Sequence, residues 1–394
     1  MAVKLIVFLC VIVISKGVDI GSLKLDQVLI LSRHNVRTPL TDSLEKYTPK
    51  PWPKWNESAG ILTQKGALLE GIMGKYISEW LDNEDLIEGC PEQKEVLIYA
   101  NTKSRTIATA QAFVDSAFQN CNVTVRHLED LTVFDPVFLP IVHNNSEIFS
   151  NQIGEEMRAK IKDLNLTESY SELAKILKIE EADICKSLYL CDLNIAQTEV
   201  VLEVGEEPNV SGPLFIGNAI VDAFIMSYYE GMPLEDVAWG QIQTPEQWEL
   251  LAKISKENQN VRFNLTLGSK DIAGPLIKYM YNIFEDKSPK FTMLVGHDSN
   301  LNSVIRALEF KPFKLSEQFE PYPIGGKLMF QKWVDSTNEY LKIEYLYPST
   351  SQLRNAEILS LSHPPKKVLL ELKDCKTDSN GFCLFSDFMK LNVY

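Results

Sequence analysis

Arg33-His34-Asn35-Val36-Arg37-Thr38-Pro39 follows directly on the apolar run Val28-Leu29-Ile30-Leu31 and on Ser32. A short, continuous apolar run suits a strand buried on both faces. The charges begin where the run ends, at the carboxyl end of that strand, which is where open α/β sheets place their ligands. Arg33 and Arg37 stand four residues apart with an imidazole between them, and guanidinium geometry matches phosphate oxygens bidentately. Taken alone, the heptad also reads as a basic turn pairing with surface acids.

The same arrangement recurs twice. Val96-Leu97-Ile98-Tyr99-Ala100 reads as a second buried strand, ending in Asn101-Thr102-Lys103-Ser104-Arg105, with a helix predicted over 106–118. Phe291-Thr292-Met293-Leu294-Val295 reads as a third, ending in Gly296-His297-Asp298-Ser299-Asn300, with a helix running to 308. Arg105 by itself is better read as a structural ion pair. If the three strands are neighbours, however, Arg33, His34, Arg37, Arg105, His297 and Asp298 converge at one sheet edge. Three guanidiniums and an imidazole can hold a tetrahedral dianion. A second, neutral imidazole can attack phosphorus, and a carboxyl beside it can protonate the departing oxygen.

Around these junctions the pattern is α/β. Residues 40–60, with Pro51-Trp52-Pro53-Lys54-Trp55, read as a loop long enough to help line a site, or as one anchored in the core by its tryptophans. Thr63 opens a helix carrying Leu68, Leu69, Ile72, Met73, Tyr76, Ile77, Trp80 and Leu81 at helical spacing. From 136 to 265 buried strand runs become scarce. Helices are predicted over 146–163, 168–180 and 217–230, the last preceded by a turn-rich loop over 206–213. A helix over 272–285, a strand over 327–334, an alternating strand over 341–345 and an edge strand over 368–372 follow. The expected architecture is a large α/β domain with a central mixed sheet, formed by 18–135 and 266–394, and a smaller, mainly helical inserted domain over 136–265.

The chain has 394 residues, 45% hydrophobic and 23% charged, which excludes disordered and fibrous classes. Its net charge of -14 argues against nucleic acid and anionic membranes as partners. Residues 1–17 read as a cleaved signal peptide: Lys4, an apolar stretch over 5–14 too short to span a bilayer, then Ser15-Lys16-Gly17. Losing Lys4 and Lys16 takes the charge from -14 to -16. A secreted or lumenal product is expected. Cys10 leaves with the leader, and six cysteines remain, enough for fifteen pairings. Spacing favours 185–191 and 375–383 as short loops, leaving 90–121. Glycosylation sequons begin at Asn56, Asn122, Asn144, Asn165, Asn209 and Asn264.

The heptad resembles the Arg-His-Gly-x-Arg-x-Pro motif of the histidine acid phosphatases, and His297-Asp298 resembles that family's distal His-Asp pair. The resemblance runs through most of the chain. It includes Trp52-Pro53, residues 102–111 and 207–214, Val221-Asp222-Ala223-Phe224, Tyr229-Glu230-Gly231, Val237-Ala238-Trp239-Gly240, Pro323-Ile324-Gly325-Gly326-Lys327 and the Cys375–Cys383 loop. It is greatest with the family's bacterial periplasmic enzymes that act on glucose 1-phosphate, which share Asn35 in place of the more usual glycine.

The resemblance implies the histidine phosphatase fold and a secreted phosphomonoester hydrolase. Its substrate would be a small phosphate ester, glucose 1-phosphate or a related sugar phosphate, with phytate a further option. His34 would be the nucleophile, Asp298 the proton donor, and Arg33, Arg37, Arg105 and His297 the phosphate holders. Glu207 would contact the sugar; a solvated loop charge is its plainer reading. Asn209 replaces a glycine of that group and creates a sequon two residues from Glu207. No cofactor and no metal are implied, since the arginines supply the positive charge. His127, His143 and His363 read as scattered packing or surface residues. The competing reading is a catalytically retired binding protein for phosphorylated ligands, which would be expected to have lost His34 or Asp298; both are present.

Overall fold

The computed structural model describes residues 21, 23–41 and 43–391, so the expected leader at 1–17 lies outside the described residues. Ten strands run β1 Lys24–Arg33, β2 Val96–Ala100, β3 Val125–Arg126, β4 Glu199–Val201, β5 Asn209–Ser211, β6 Phe291–Gly296, β7 Lys327–Val334, β8 Glu339–Tyr347, β9 Lys366–Leu370 and β10 Phe382–Leu384. Nine helices carry the argument: α1 Gln64–Asn83, α2 Ser104–Ala117, α3 Glu147–Lys162, α4 Thr167–Leu177, α5 Asp183–Leu188, α6 Pro213–Glu230, α7 Pro245–Phe263, α8 Gly268–Glu285 and α9 Asp298–Ala307.

One mixed sheet has the order β10-β8-β7-β1-β6-β2-β3, with β9 paired to β8. β1, β6, β2 and β3 are parallel, whereas β7 lies antiparallel to β1 and continues into the antiparallel β8, β9 and β10. The apolar run of β1 is continuous because both its faces are covered. Val28 and Ile30 join the core beneath α1 and α2, with Met73, Tyr76, Phe113 and Phe291. Leu29 and Leu31 join the opposite core beneath α8 and α9, with Leu276, Ile277, Leu301 and Val304. Thr63 caps α1 as expected, its hydroxyl accepting from the Gly66 amide.

Between β3 and α8 the chain is mainly helical, with β4 and β5 as a small separate hairpin. Its interior includes Ile153, Met157, Leu173, Phe224, Leu251 and Val261, and the same cluster takes in Leu44, Tyr47, Leu69 and Ile324 from the α/β part. The helix expected over 217–230 starts earlier, at Pro213. Gly212 at φ +79° turns the chain in, and proline is tolerated at the first helical position because its missing N–H needs no partner there. The helix expected over 272–285 likewise starts at Gly268 and holds Pro275 in its interior. A nineteen-residue helix, α7, was not expected at all. Trp52 stacks on Phe224 at 5.5 Å and meets Trp239 edge-on, so it anchors its loop in the core. The earlier part of that loop, Leu40 to Tyr47, is the part that reaches the large cavity described below.

Disulfides join Cys185–Cys191 and Cys375–Cys383, the two short pairs that spacing favoured, and Cys90–Cys121, the pair that was left. Among the described residues no helix is long and apolar enough to cross a membrane. Of the sequon asparagines, Asn56, Asn122, Asn144 and Asn165 are exposed. Asn209 and Asn264 are half-buried, and the Asn264 side-chain amide donates to Asn260 Oδ1 at 2.9 Å.

A fully buried ion pair braces the end of β1 from behind. Lys327 Nζ, at the start of β7, lies 2.7 Å from Glu70 Oε1 on α1, and neither side chain is exposed to solvent. Lys327 also donates to Ser32 Oγ at 2.8 Å, and Asn35 Nδ2 donates to Glu70 Oε2 at 3.0 Å. The pair thus holds the residues on both sides of Arg33-His34. Removing one member strands a buried charge, which costs about 3–5 kcal/mol, whereas replacing both with apolar groups costs far less. In urea unfolding, Glu70→Met should lose stability on that scale and Glu70→Met/Lys327→Met should recover most of it. A double variant as unstable as the single one would contradict this account.

Candidate active site

The three parallel strands end level. Arg33 in β1 pairs with Gly296 in β6, and Ala100 in β2 pairs with Val295. The next residues of each chain segment therefore emerge side by side. Arg33, His34, Arg37, Arg105, His297, Asp298 and Glu207, all seven candidates from the sequence, line one cavity of about 590 Å³. The two imidazole rings face one another across it, with centroids 5.5 Å apart.

His34 is buried, and its Nδ1 lies 2.9 Å from the Asn35 carbonyl oxygen. A carbonyl only accepts, so Nδ1 carries the proton and the neutral ring keeps a lone pair on Nε2. Burial, then Arg105, Arg37 and Arg33, push the His34 pKa well below that of an ordinary imidazole. The ring is therefore neutral, and able to act as a nucleophile, even in acid.

The guanidiniums are held by carboxylates from other elements. Arg37 makes a bidentate pair with Asp222 of α6, at 2.9 and 3.0 Å. Arg33 Nη1 donates to Glu320 at 2.6 Å and to the Tyr322 carbonyl at 2.7 Å, while its Nη2 lies 3.3 Å from Asp298. Arg105 differs: among the described residues no carboxylate lies within ion-pair distance of it. Burial and the neighbouring Arg37 pull its guanidinium down to about 10, which leaves it charged across the neutral and acid range. The Nε atoms of Arg33, Arg37 and Arg105 are all buried and meet no protein acceptor. All three arginines line the cavity, and guanidiniums grouped in this way suit a compact oxyanion.

Asp298 opens α9 and keeps nearly a third of its side chain exposed. Gln259 of α7 donates to its Oδ2 at 3.1 Å, and the Ser299 amide to its Oδ1 at 3.0 Å. Burial would raise this carboxyl, but Arg33, then His297 and Arg37, hold it below the usual aspartate range. Glu207 stands on the far wall, half-exposed, with Oε1 2.6 Å from Arg262 Nη2. Among the described residues no group of three His, Cys, Asp or Glu side chains is placed to hold a metal ion.

A sequence profile described as the histidine phosphatase superfamily (branch 2) matches residues 24–151. Over 378 residues, 93% of this chain and 91% of the relative, the sequence is 43% identical to a glucose-1-phosphatase of Providencia rettgeri. The chain belongs to the histidine phosphatase superfamily. It is also 43% identical to a glucose-1-phosphatase of Salmonella typhimurium, again over 93% of this chain and 91% of the relative. The solved apo structure of a Hafnia alvei phytase matches with a TM-score of 0.87 at 25% identity, covering 94% of this chain and 96% of that one.

In this histidine phosphatase several cavity residues escaped the sequence reading. Asp222 sits in the apolar run Ile220-Val221-Asp222-Ala223-Phe224, and a lone acid in such a run was its available signal. Gln259 and Arg262 ride on the unexpected α7. Its start was marked by Thr244-Pro245-Glu246-Gln247, which forms a capping box. Glu320 lies in a loop whose sequence carries no such mark. Arg105 yields the test of this geometry. Ligand at 100 times its dissociation constant stabilises a protein by about 2.7 kcal/mol, so inorganic phosphate should raise the Tm. Arg105→Met, which removes a half-buried charge without a carboxylate partner, should keep the ligand-free Tm and lose the rise. An undiminished rise would take Arg105 out of the anion site.

Proposed function

We propose that this chain is a secreted phosphatase that hydrolyses phosphate monoesters, sugar phosphates such as glucose 1-phosphate foremost, through a phosphohistidine on His34. The observation that carries the proposal is the neutral His34 ring, protonated at Nδ1 with a lone pair on Nε2, set in one cavity with three guanidiniums. The names of the relatives supply the substrate class, and three disulfides suit an oxidising compartment. The division into an α/β domain and a helical insert over 136–265 belongs to the same proposal.

In this mechanism the phosphoryl group docks between His34 and His297. Arg33, Arg37 and Arg105 spread its charge, which needs no reorganisation in a site already lined with fixed donors. His34 Nε2 attacks phosphorus in line with the departing oxygen, and the Asp298 carboxyl protonates that oxygen. Asp298 is ionised in the free site, but a bound dianion repels its negative charge and favours the protonated form. The proton is therefore taken up with substrate, more readily at low pH. Water then hydrolyses the phosphohistidine, with Asp298 as base by microscopic reversibility. Glu207, held by Arg262, meets the sugar. A retired binding protein has no use for an acid poised above a nucleophile, and nothing in the site favours that reading.

The account fixes the pH profile. The depressed His34 pKa keeps the nucleophile active below the ordinary imidazole range, while the rate falls as pH rises and Asp298 loses its proton in the complex. A general acid contributes roughly 10²–10⁴-fold, and it matters most for a poor leaving group. In single-turnover phosphorylation, Asp298→Asn should slow glucose 1-phosphate by that order and p-nitrophenyl phosphate far less, because p-nitrophenolate leaves unaided. Equal slowing of both substrates would leave Asp298 as a positioning group only.

A further inference from the structure

The two imidazoles of the cavity are held in opposite ways, and the second one has a controller of its own. His297 Nε2 lies 2.9 Å from the Asn101 side-chain nitrogen. The orientation of that amide is fixed by its other end, because Asn101 Oδ1 accepts from the Thr102 backbone N–H at 2.7 Å. A backbone N–H only donates, so turning the amide over would set two donors against each other. Asn101 Nδ2 is therefore the donor and His297 Nε2 the acceptor. A neutral ring that accepts at Nε2 carries its proton on Nδ1.

His297 Nδ1 lies 3.4 Å from Arg105 Nη2. That contact is also within hydrogen-bond reach, but a neutral ring has a single lone pair, and the shorter contact, to Asn101 at 2.9 Å, takes it, which leaves a guanidinium N–H and a ring N–H on the Arg105 side. Both can serve a third atom, an acceptor shared between them on the cavity side. Asn101 is placed for this task by the sheet: it is the first residue beyond β2, its own N–H donates to the Val295 carbonyl of β6 at 3.0 Å, and its side chain is buried.

We infer that Asn101 is a positioning residue that locks His297 as its Nδ1-protonated tautomer, so that His297 and Arg105 present two converging N–H donors to one phosphate oxygen. This deepens the phosphatase reading and rests on it for the identity of the acceptor. The Asn35 carbonyl and the Asn101 amide thus divide the labour of two like side chains. One imidazole offers a lone pair to phosphorus, the other a proton to oxygen. The lock also opposes a second proton on His297, which would confront the Asn101 N–H at Nε2. The charged and titratable groups that face the ring are Arg105 from α2, Arg33, His34 and Arg37 from the end of β1, and its neighbour Asp298 at the start of α9. Through Asp298 the list extends to Arg262 of α7.

The test is nitrogen-15 NMR of the histidine rings in the whole purified protein, with His297→Asn used only to assign the resonance. His297 should show a pyrrole-type Nδ1 and a pyridine-type Nε2, unchanged across the active pH range. A pyridine-type Nδ1, or a doubly protonated ring, would overturn the inference. Two variants read the consequence. Asn101→Leu frees the ring and should lower kcat/KM by roughly tenfold to a hundredfold, the scale of one hydrogen bond to a charged group. Asn101→Asp replaces the donor by an acceptor that stabilises the imidazolium. Below the raised His297 pKa the ring still carries Nδ1–H and activity should be largely kept. Above that pKa the carboxylate holds the remaining proton on Nε2, a lone pair faces the phosphate, and activity should fall. A pH-independent loss in Asn101→Asp would assign Asn101 a merely structural part and overturn the inference. The NMR measurement needs no turnover, so a wrong tautomer in an active enzyme sinks this inference alone, and absent phosphatase activity with the expected tautomer sinks only the proposed function.

Discussion

The parallel pairing of β1, β6 and β2 is the constraint from which the site follows. With Arg33 level with Gly296, and Ala100 level with Val295, three chain segments leave the sheet at the same height. A slip of one residue in either pairing would turn every side chain of the displaced strand to the other face. Its apolar residues would then face the wrong core, which fixes the register. His34, His297 and Asn101 meet because both cores flanking the sheet require it.

Charge balance is the second organising element. Two buried guanidiniums, Arg33 and Arg37, meet Glu320, Asp298 and Asp222, whereas the half-buried Arg105 has no carboxylate within ion-pair distance among the described residues. In the proposed mechanism a docked dianion would enter a site already near neutrality, which favours proton uptake by the partly exposed Asp298. On the proposed mechanism, a rate that falls as pH rises follows from this balance without any unusual residue. Behind the site, the Glu70–Lys327 pair and Asn35 give the catalytic turn a rigid backing that solvent does not reach.

Much of this was legible in the sequence, and the reasons differ by residue. The strand ends were legible because β1, β2 and β6 are buried on both faces and so are continuously apolar. Six of the seven candidate residues were legible because they follow those runs closely; Glu207, in the loop between β4 and β5, came only from the family resemblance. The helix α7 was not: its buried Trp248, Leu251, Ile254 and Val261 are interleaved with a buried Asn258 and many charged residues, which blurs the helical stripe. With it went Gln259, which orients Asp298, and Arg262, which pairs with Glu207. Asp222 and Glu320 were missed because their arginine partners lie 185 and 287 residues away, so that local sequence names no partner, although the apolar run around Asp222 marked it as unusual. The start of α6 was misread because Gly212-Pro213 signals a turn and a helix entry alike.

The central claim is that His34 becomes covalently phosphorylated. Rapid quenching of the enzyme with phosphorus-labelled substrate, followed by peptide mapping under alkaline conditions, tests it directly. The account predicts label on His34 in an acid-labile, alkali-stable linkage, formed within a single turnover and absent from His34→Ala. Label absent from His34 in an enzyme that turns over, or normal turnover by His34→Ala, would contradict it.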